Sequence, residues 1–136
     1  MNDCQFSLEF KVRDYECDIQ GIVNNAVYLN YLEHARHEFL LSRGISFAEL
    51  SKKKINLVVI RTELDYKSPL RSGDEFSIEV NFEQISPLCF CFNQTIYKRP
   101  DRKLVMNAKV FGTGINEKGR PCIPEEIRKN FIELSN

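Results

Sequence analysis

A chain of 136 residues suits one compact domain over 1–136, and its 43% hydrophobic and 28% charged residues are the balance of a folded globular protein, not of a disordered or fibrous one. Nineteen basic residues offset nineteen acidic ones, which excludes a net field towards nucleic acid or an anionic membrane and leaves anion binding to local clusters. Met1 to Phe10 lacks the basic flank and apolar block of a signal peptide, and no apolar run approaches the roughly 20 residues of a membrane span, so the expected location is the cytoplasm, without membrane insertion.

Residues 5–13 alternate, with Phe6, Leu8, Phe10 and Val12 on one face and Gln5, Ser7, Glu9, Lys11 and Arg13 on the other, which predicts a half-buried strand. The acid-rich stretch Asp14 to Gln20, then Gly21 and Asn24-Asn25, reads as a loop ending at a helix cap. From Ala26 to Arg43 the period changes: Tyr28, Leu32, Ala35 and Phe39 recur at helical spacing, with Tyr31 beside them. Gly44 is a stop signal, and Ser46 to Glu49 resembles a capping box for one more short turn.

Beyond Lys54 the pattern is that of strands: Ile55 to Tyr66, Phe76 to Phe82, Leu88 to Tyr97 and Lys103 to Ile115, separated by Ser68–Asp74, Ser86-Pro87 and Arg99-Pro100-Asp101. Short connections predict that these strands are antiparallel neighbours in chain order, an α+β arrangement. Five cysteines, Cys4, Cys17, Cys89, Cys91 and Cys122, form an odd set without a C-x-x-C pair, which speaks for reduced thiols and against a disulfide framework or structural zinc. Cys89 and Cys91 share a strand face, where packing is the expectation. Pro124-Glu125-Glu126 suits the first turn of a short C-terminal helix.

The stretch Arg13 to Arg36 combines an acidic residue, Asp18, Gly21, Val23, the pair Asn24-Asn25, Tyr28-x-x-Tyr31 and Glu33-x-Ala35-Arg36. It resembles the signature of the 4-hydroxybenzoyl-CoA thioesterase-like, or YbgC-like, acyl-CoA thioesterases, and Tyr66–Asp74 and Ala108–Pro124 are similar to that family as well. The resemblance implies a hot-dog fold, an antiparallel sheet wrapped around one long central helix. It further implies a homodimer with a continuous sheet, often doubled into a tetramer, with active sites at the dimer interface and no cofactor or metal.

The chemistry implied is hydrolysis of an acyl-CoA. Asp18 is the catalytic carboxylate, either as nucleophile or as general base on water. Backbone N–H groups at the helix start near Asn25 polarise the carbonyl, because free amides and the helix dipole favour negative charge there. Relatives carry His or Tyr where this chain has Asn25, and many carry Asp where it has Glu16, a residue expected on a solvated loop. Gly21, Val23 and Tyr28 are expected around the substrate.

Glu33 and Glu63 are further carboxylates, read as structural or solvated, and His34 and His37 are expected on a polar helix face, without metal. Cations are needed for the phosphates of coenzyme A. The Gln84–Leu88 connection has none, which leaves Arg61, Lys67 and Arg71 at one turn and Lys98, Arg99, Arg102 and Lys103 at another, with Arg61, Lys98 and Arg99 as the binding candidates. The uncharged connection leaves acyl-carrier-protein thioesters as an alternative substrate, and a non-catalytic thioester-binding module as an alternative function. Phe39, Phe90 and Phe92 either line the acyl site or fill the core.

Overall fold

The computed structural model describes residues 4–132, and the two ends of the chain lie outside it. Strand β1 (Phe6–Lys11) leads into a 3₁₀ turn (Asp14–Glu16) and then into the long helix α1 (Asn25–Ser42). A short helix α2 (Phe47–Lys52) precedes four long strands: β2 (Asn56–Tyr66), β3 (Glu75–Ser86), β4 (Cys89–Lys98) and β5 (Lys103–Ile115). A two-residue strand β6 (Pro121–Cys122), which the sequence pattern does not signal, a short helix α3 (Glu125–Ile127) and a π-helical turn (Arg128–Ile132) follow.

Both ends of α1 are closed by local chemistry. The Asn24 side chain accepts from the Ala26 N–H at 2.9 Å as N-cap. At the other end Gly44, at φ +78°, and Ile45 donate to the carbonyls of Leu41 and Leu40, a Schellman closure that needs the left-handed residue glycine supplies. Tyr28, Tyr31, Leu32, Ala35, Phe39 and Leu40 make the buried face of the helix, as its spacing predicts. They pack on the inner face of the sheet, against Phe76, Ile78, Val80, Phe90, Phe92, Ile96 and Val110, so Phe39, Phe90 and Phe92 all belong to the core.

One polar side chain enters this layer with every group paired. Gln94, 1% exposed, donates through Nε2 to the Leu32 carbonyl at 2.9 Å and accepts from Arg36 Nη1 at 3.1 Å.

The sheet order is β1-β3-β4-β5-β2, with β6 on β5 and every pairing antiparallel. This is the α+β hot-dog architecture. The expectation that successive strands are neighbours holds for β3-β4-β5 and fails for β2, which pairs with β5, while β3 pairs with β1. The reason lies in the connection between β2 and β3. The N–H groups of Lys67 and Ser68 donate to the Val105 carbonyl, fastening its start to β5. Its end is fastened to β1, since Val12 N–H donates to Asp74 O and Gly73 N–H to Val12 O. The segment therefore crosses the sheet beneath the start of α1, which puts it under the loop that carries Asp18.

Candidate active site

The loop between β1 and α1 is a small hairpin stiffened on each side. Asn24 N–H donates to Glu16 O, Cys17 bridges Val23, and Asp18 N–H donates to Ile22 O at 2.9 Å. The turn from Asp18 to Gly21 closes with Gly21 N–H on Asp18 O at 3.0 Å, and Gln20 N–H donates to Asp18 Oδ1 at 2.9 Å, an Asx turn. Gly21 sits at φ +81° with open space where a Cβ would be, so the turn needs glycine for its backbone alone. Gly21→Ala should therefore cost about 1 kcal/mol. A fall of about 3–5 °C in Tm is expected by differential scanning fluorimetry, and an unchanged Tm would show that the turn has no such demand.

Beneath this hairpin lies Glu16, buried where the sequence suggests a solvated loop. Its Oε1 accepts from the Arg13 N–H and from the Tyr31 hydroxyl, both at 2.8 Å, while the Arg13 guanidinium stands 3.8 Å from Oε2. Burial, followed by the bond to the Glu16 carboxylate, pushes the Tyr31 phenol far above its ordinary pKa. Glu16 is thus an anchor between hairpin and helix. The sequence marks the position only as acidic and not as buried, because its partner Tyr31 stands 15 residues away. The Ser72 hydroxyl donates to the Asp14 carboxylate, joining this loop to the crossing segment.

Asp18 is half-buried at the head of the turn, and Asn25 is exposed as the first residue of α1. Ala26 N–H is taken by the cap and Val27 N–H by Asn24 O, which leaves the Asn25 N–H without a protein acceptor among the described residues. Asp18 lies opposite Ile22, three residues before Asn25, so carboxylate and open donor share one hairpin within about 10 Å.

Val23 and Tyr28, expected around the substrate, are 2% and 3% exposed and work from below. Val23 N–H donates to Leu70 O, and Leu70 N–H donates to the Tyr28 hydroxyl at 3.2 Å, so the two hold the hairpin on the crossing segment. Arg61 lies on β2 with its Nε 2.8 Å from Glu63, away from the hairpin. Lys98 pairs with Asp74 at 3.5 Å and Arg99 with Glu9 at 3.2 Å. Arg71 instead bridges Ile22 directly, a neighbour of Asp18 that only the fold supplies.

His34 is exposed and 3.9 Å from Glu38, as a polar face requires, whereas His37 is half-buried against the Phe47 ring at 4.3 Å. Burial lowers the His37 pKa. A cavity of about 910 Å³ opens between β1 and α1 beside Glu16 and Tyr31, and Asp18 is not among the residues that line it. Asp18 is half-buried, and Ile19 next to it and Tyr15 in the preceding turn are exposed.

A carboxylate can serve as base or nucleophile towards a thioester, and an open amide at a helix start can take the charge that develops on its carbonyl oxygen. The family model of the thioesterase-like superfamily matches residues 12–131, the hairpin and nearly the whole sheet. The chain belongs to this superfamily.

The member is 40% identical over 128 residues to a chloroplastic acyl-acyl carrier protein thioesterase of Arabidopsis thaliana, across 93% of this chain. It spans about two thirds of that plant protein, 67% of its length. It is 30% identical to the long-chain acyl-CoA thioesterase FadM of Escherichia coli, over 93% of this chain and 96% of that one. A 1,4-dihydroxy-2-naphthoyl-CoA thioesterase from Synechocystis superposes with a TM-score of 0.89 over 96% of this chain and 98% of that one. At 20% identity that likeness concerns the hot-dog fold alone. The relatives named here for an activity are all thioesterases of acyl thioesters.

Proposed function

We propose that this chain hydrolyses acyl thioesters with Asp18 as the catalytic carboxylate and the Asn25 N–H as oxyanion donor. The observation that carries the reading is the presence, in one braced hairpin, of a half-buried carboxylate and, at the start of an 18-residue helix, an amide without a protein acceptor among the described residues. That amide sits where the helix dipole amounts to roughly half a positive charge. Asp18 acts in one of two ways. It adds to the thioester carbon, expelling the thiolate and leaving a mixed anhydride that water cleaves. Alternatively it takes a proton from water as that water adds, and the thiolate then leaves. The Asn25 side chain is an amide and exchanges no proton, so its part belongs to the backbone.

A second copy of the chain would wall the open side of this site. Val59 and Ile60 on edge strand β2 are 53% and 57% exposed, and an unpaired edge carrying apolar side chains favours strand pairing with another copy. A homodimer joined there, itself able to pair into a tetramer, completes the active site.

For the carrier, an acyl-carrier-protein thioester is favoured over acyl-CoA. The higher identity to the plant acyl-carrier-protein thioesterase supports this, as do an exposed Gln84–Leu88 connection without cations and the pairing of Lys98 and Arg99 with carboxylates. Acyl-CoA is the second reading, favoured by the match along 96% of FadM. The same acyl group presented on both carriers should give a kcat/KM at least about tenfold higher on the protein carrier, a difference of about 1.4 kcal/mol. The reverse ratio would reassign the substrate to coenzyme A.

A further inference from the structure

The sheet has a second edge, β1, opposite the β2 edge given above to another copy. Val12 donates its N–H to Asp74 O and accepts from the Gly73 N–H, both towards β3, while the Arg13 N–H turns away to Glu16 Oε1. Backbone groups alternate in direction along an antiparallel strand, so Ser7, Glu9 and Lys11 direct their N–H and C=O groups away from β3. No hydrogen bond holds these groups among the described residues. β1 runs for six residues, and neither proline nor a bulge interrupts it.

The cavity of about 910 Å³ lies along this edge, from Leu8 to Arg13, with Asn30 and His34 of α1 across it. Six residues of strand fill a slab about 20 Å long, about 4.8 Å wide and about 10 Å deep, or roughly 960 Å³. A helix of that length is about 10–12 Å across and takes at least about 1,600 Å³. The groove therefore has the volume of one more strand and not of a helix.

The two sides of the groove differ in chemistry. Towards the helix stand half-buried Leu8 and Phe10, the Phe10 ring stacked on Phe76 at 5.0 Å and edge-on to His34 at 5.8 Å. On the outer face Glu9 is paired with Arg99 at 3.2 Å, and Lys11 has no ion-pair partner among the described residues. Arg13 keeps 66% of its side chain exposed although it lies 3.8 Å from Glu16. The acids at the end of the groove are engaged, Asp14 by the Ser72 hydroxyl and Glu16 by the Tyr31 hydroxyl. The charge left to meet a ligand is positive.

We infer that the β1 edge binds an extended segment of a partner protein as a seventh strand, with apolar side chains turned in towards Phe10 and acidic ones turned out towards Lys11 and Arg13. The open backbone groups supply the hydrogen bonds, and the two cations select the sequence.

The probe is a blocked, labelled hexapeptide alternating valine and glutamate, titrated by fluorescence anisotropy beside the same peptide with lysine for glutamate. The wild type should bind the acidic peptide at least tenfold more tightly, and equal binding overturns the inference. Lys11→Glu should bring the two peptides to within about threefold. Glu9→Pro removes an outward N–H at an edge position that tolerates proline, and should weaken the acidic peptide at least tenfold. Glu9→Ala keeps that N–H and should bind like the wild type, so equal affinity of the Pro and Ala variants counts against strand addition. Methylating alternate backbone nitrogens of the peptide interrupts the same bonds without altering the protein, and should also cost at least tenfold.

Sedimentation of the wild type and Glu9→Pro tests the other occupants. An oligomer that Glu9→Pro splits would give the edge to a second copy and overturn the inference. Binding that appears only after residues 133–136 are removed would give the groove to the chain's own end, with the same result.

Discussion

Asp18→Asn should lower kcat about 10³-fold, near 4 kcal/mol of transition-state stabilisation, while leaving the fold intact. The two halves of that expectation have separate causes. The catalytic loss follows because an amide neither attacks a thioester nor takes a proton from water, so both routes through residue 18 close together. The fold survives because the Asx turn uses Oδ1 only as an acceptor for the Gln20 N–H, and the asparagine side-chain oxygen accepts equally well. Asp18→Ala removes that acceptor too and should combine the same catalytic loss with a small fall in Tm. Turnover by Asp18→Asn within a few fold of wild type, at unchanged far-UV circular dichroism, would sink the assignment of Asp18.

Glu16→Ala should be the most destabilising change in the loop, at about 2–4 kcal/mol, because it strips the Arg13 N–H and the buried Tyr31 hydroxyl of their acceptor and leaves both donors unpaired. Glu16→Gln keeps an acceptor of similar reach and should recover most of that stability. The coupling is measurable by a double-mutant cycle with Tyr31→Phe under urea denaturation, where removing both partners should cost at least about 1 kcal/mol less than the sum of the single changes. Strict additivity would mean that the hydroxyl and the carboxylate do not act as a unit. Because Glu16 O also accepts the Asn24 N–H at the helix cap, Glu16→Ala should lower kcat as well, through displacement of the Asn25 amide. The conservative Gln variant should restore this activity, which sets a positioning role apart from general unfolding.

The course of the backbone was legible wherever the signal is local. The alternation of Phe6, Leu8 and Phe10, the helical spacing from Tyr28 to Phe39, the Asn24 cap and the Gly44 stop each depend on residues within a few positions of one another, and each produced its element within a residue or two. The resemblance of Arg13–Arg36 to a known signature carried the fold and singled out Asp18 before any geometry was known. These are properties of the chain alone.

What only the tertiary structure decided are meetings between residues far apart in sequence. The edge position of β2 depends on a connection fastened to β5 at one end and to β1 at the other, and no local pattern records where a connection lands. The same holds for Glu16 under Tyr31, for Tyr28 holding Leu70 and for Arg71 beside Ile22. Charged residues that look alike as sequence were sorted in the same way. Lys98 and Arg99 gained carboxylate partners from other elements, and Arg61 is paired along its own strand, far from Asp18. Sequence determined which residues could do chemistry and where the elements run, because period and capping are short-range. The fold decided which groups stand together, because a buried hydrogen bond or ion pair is set by the distance between side chains in space and not by their separation along the chain.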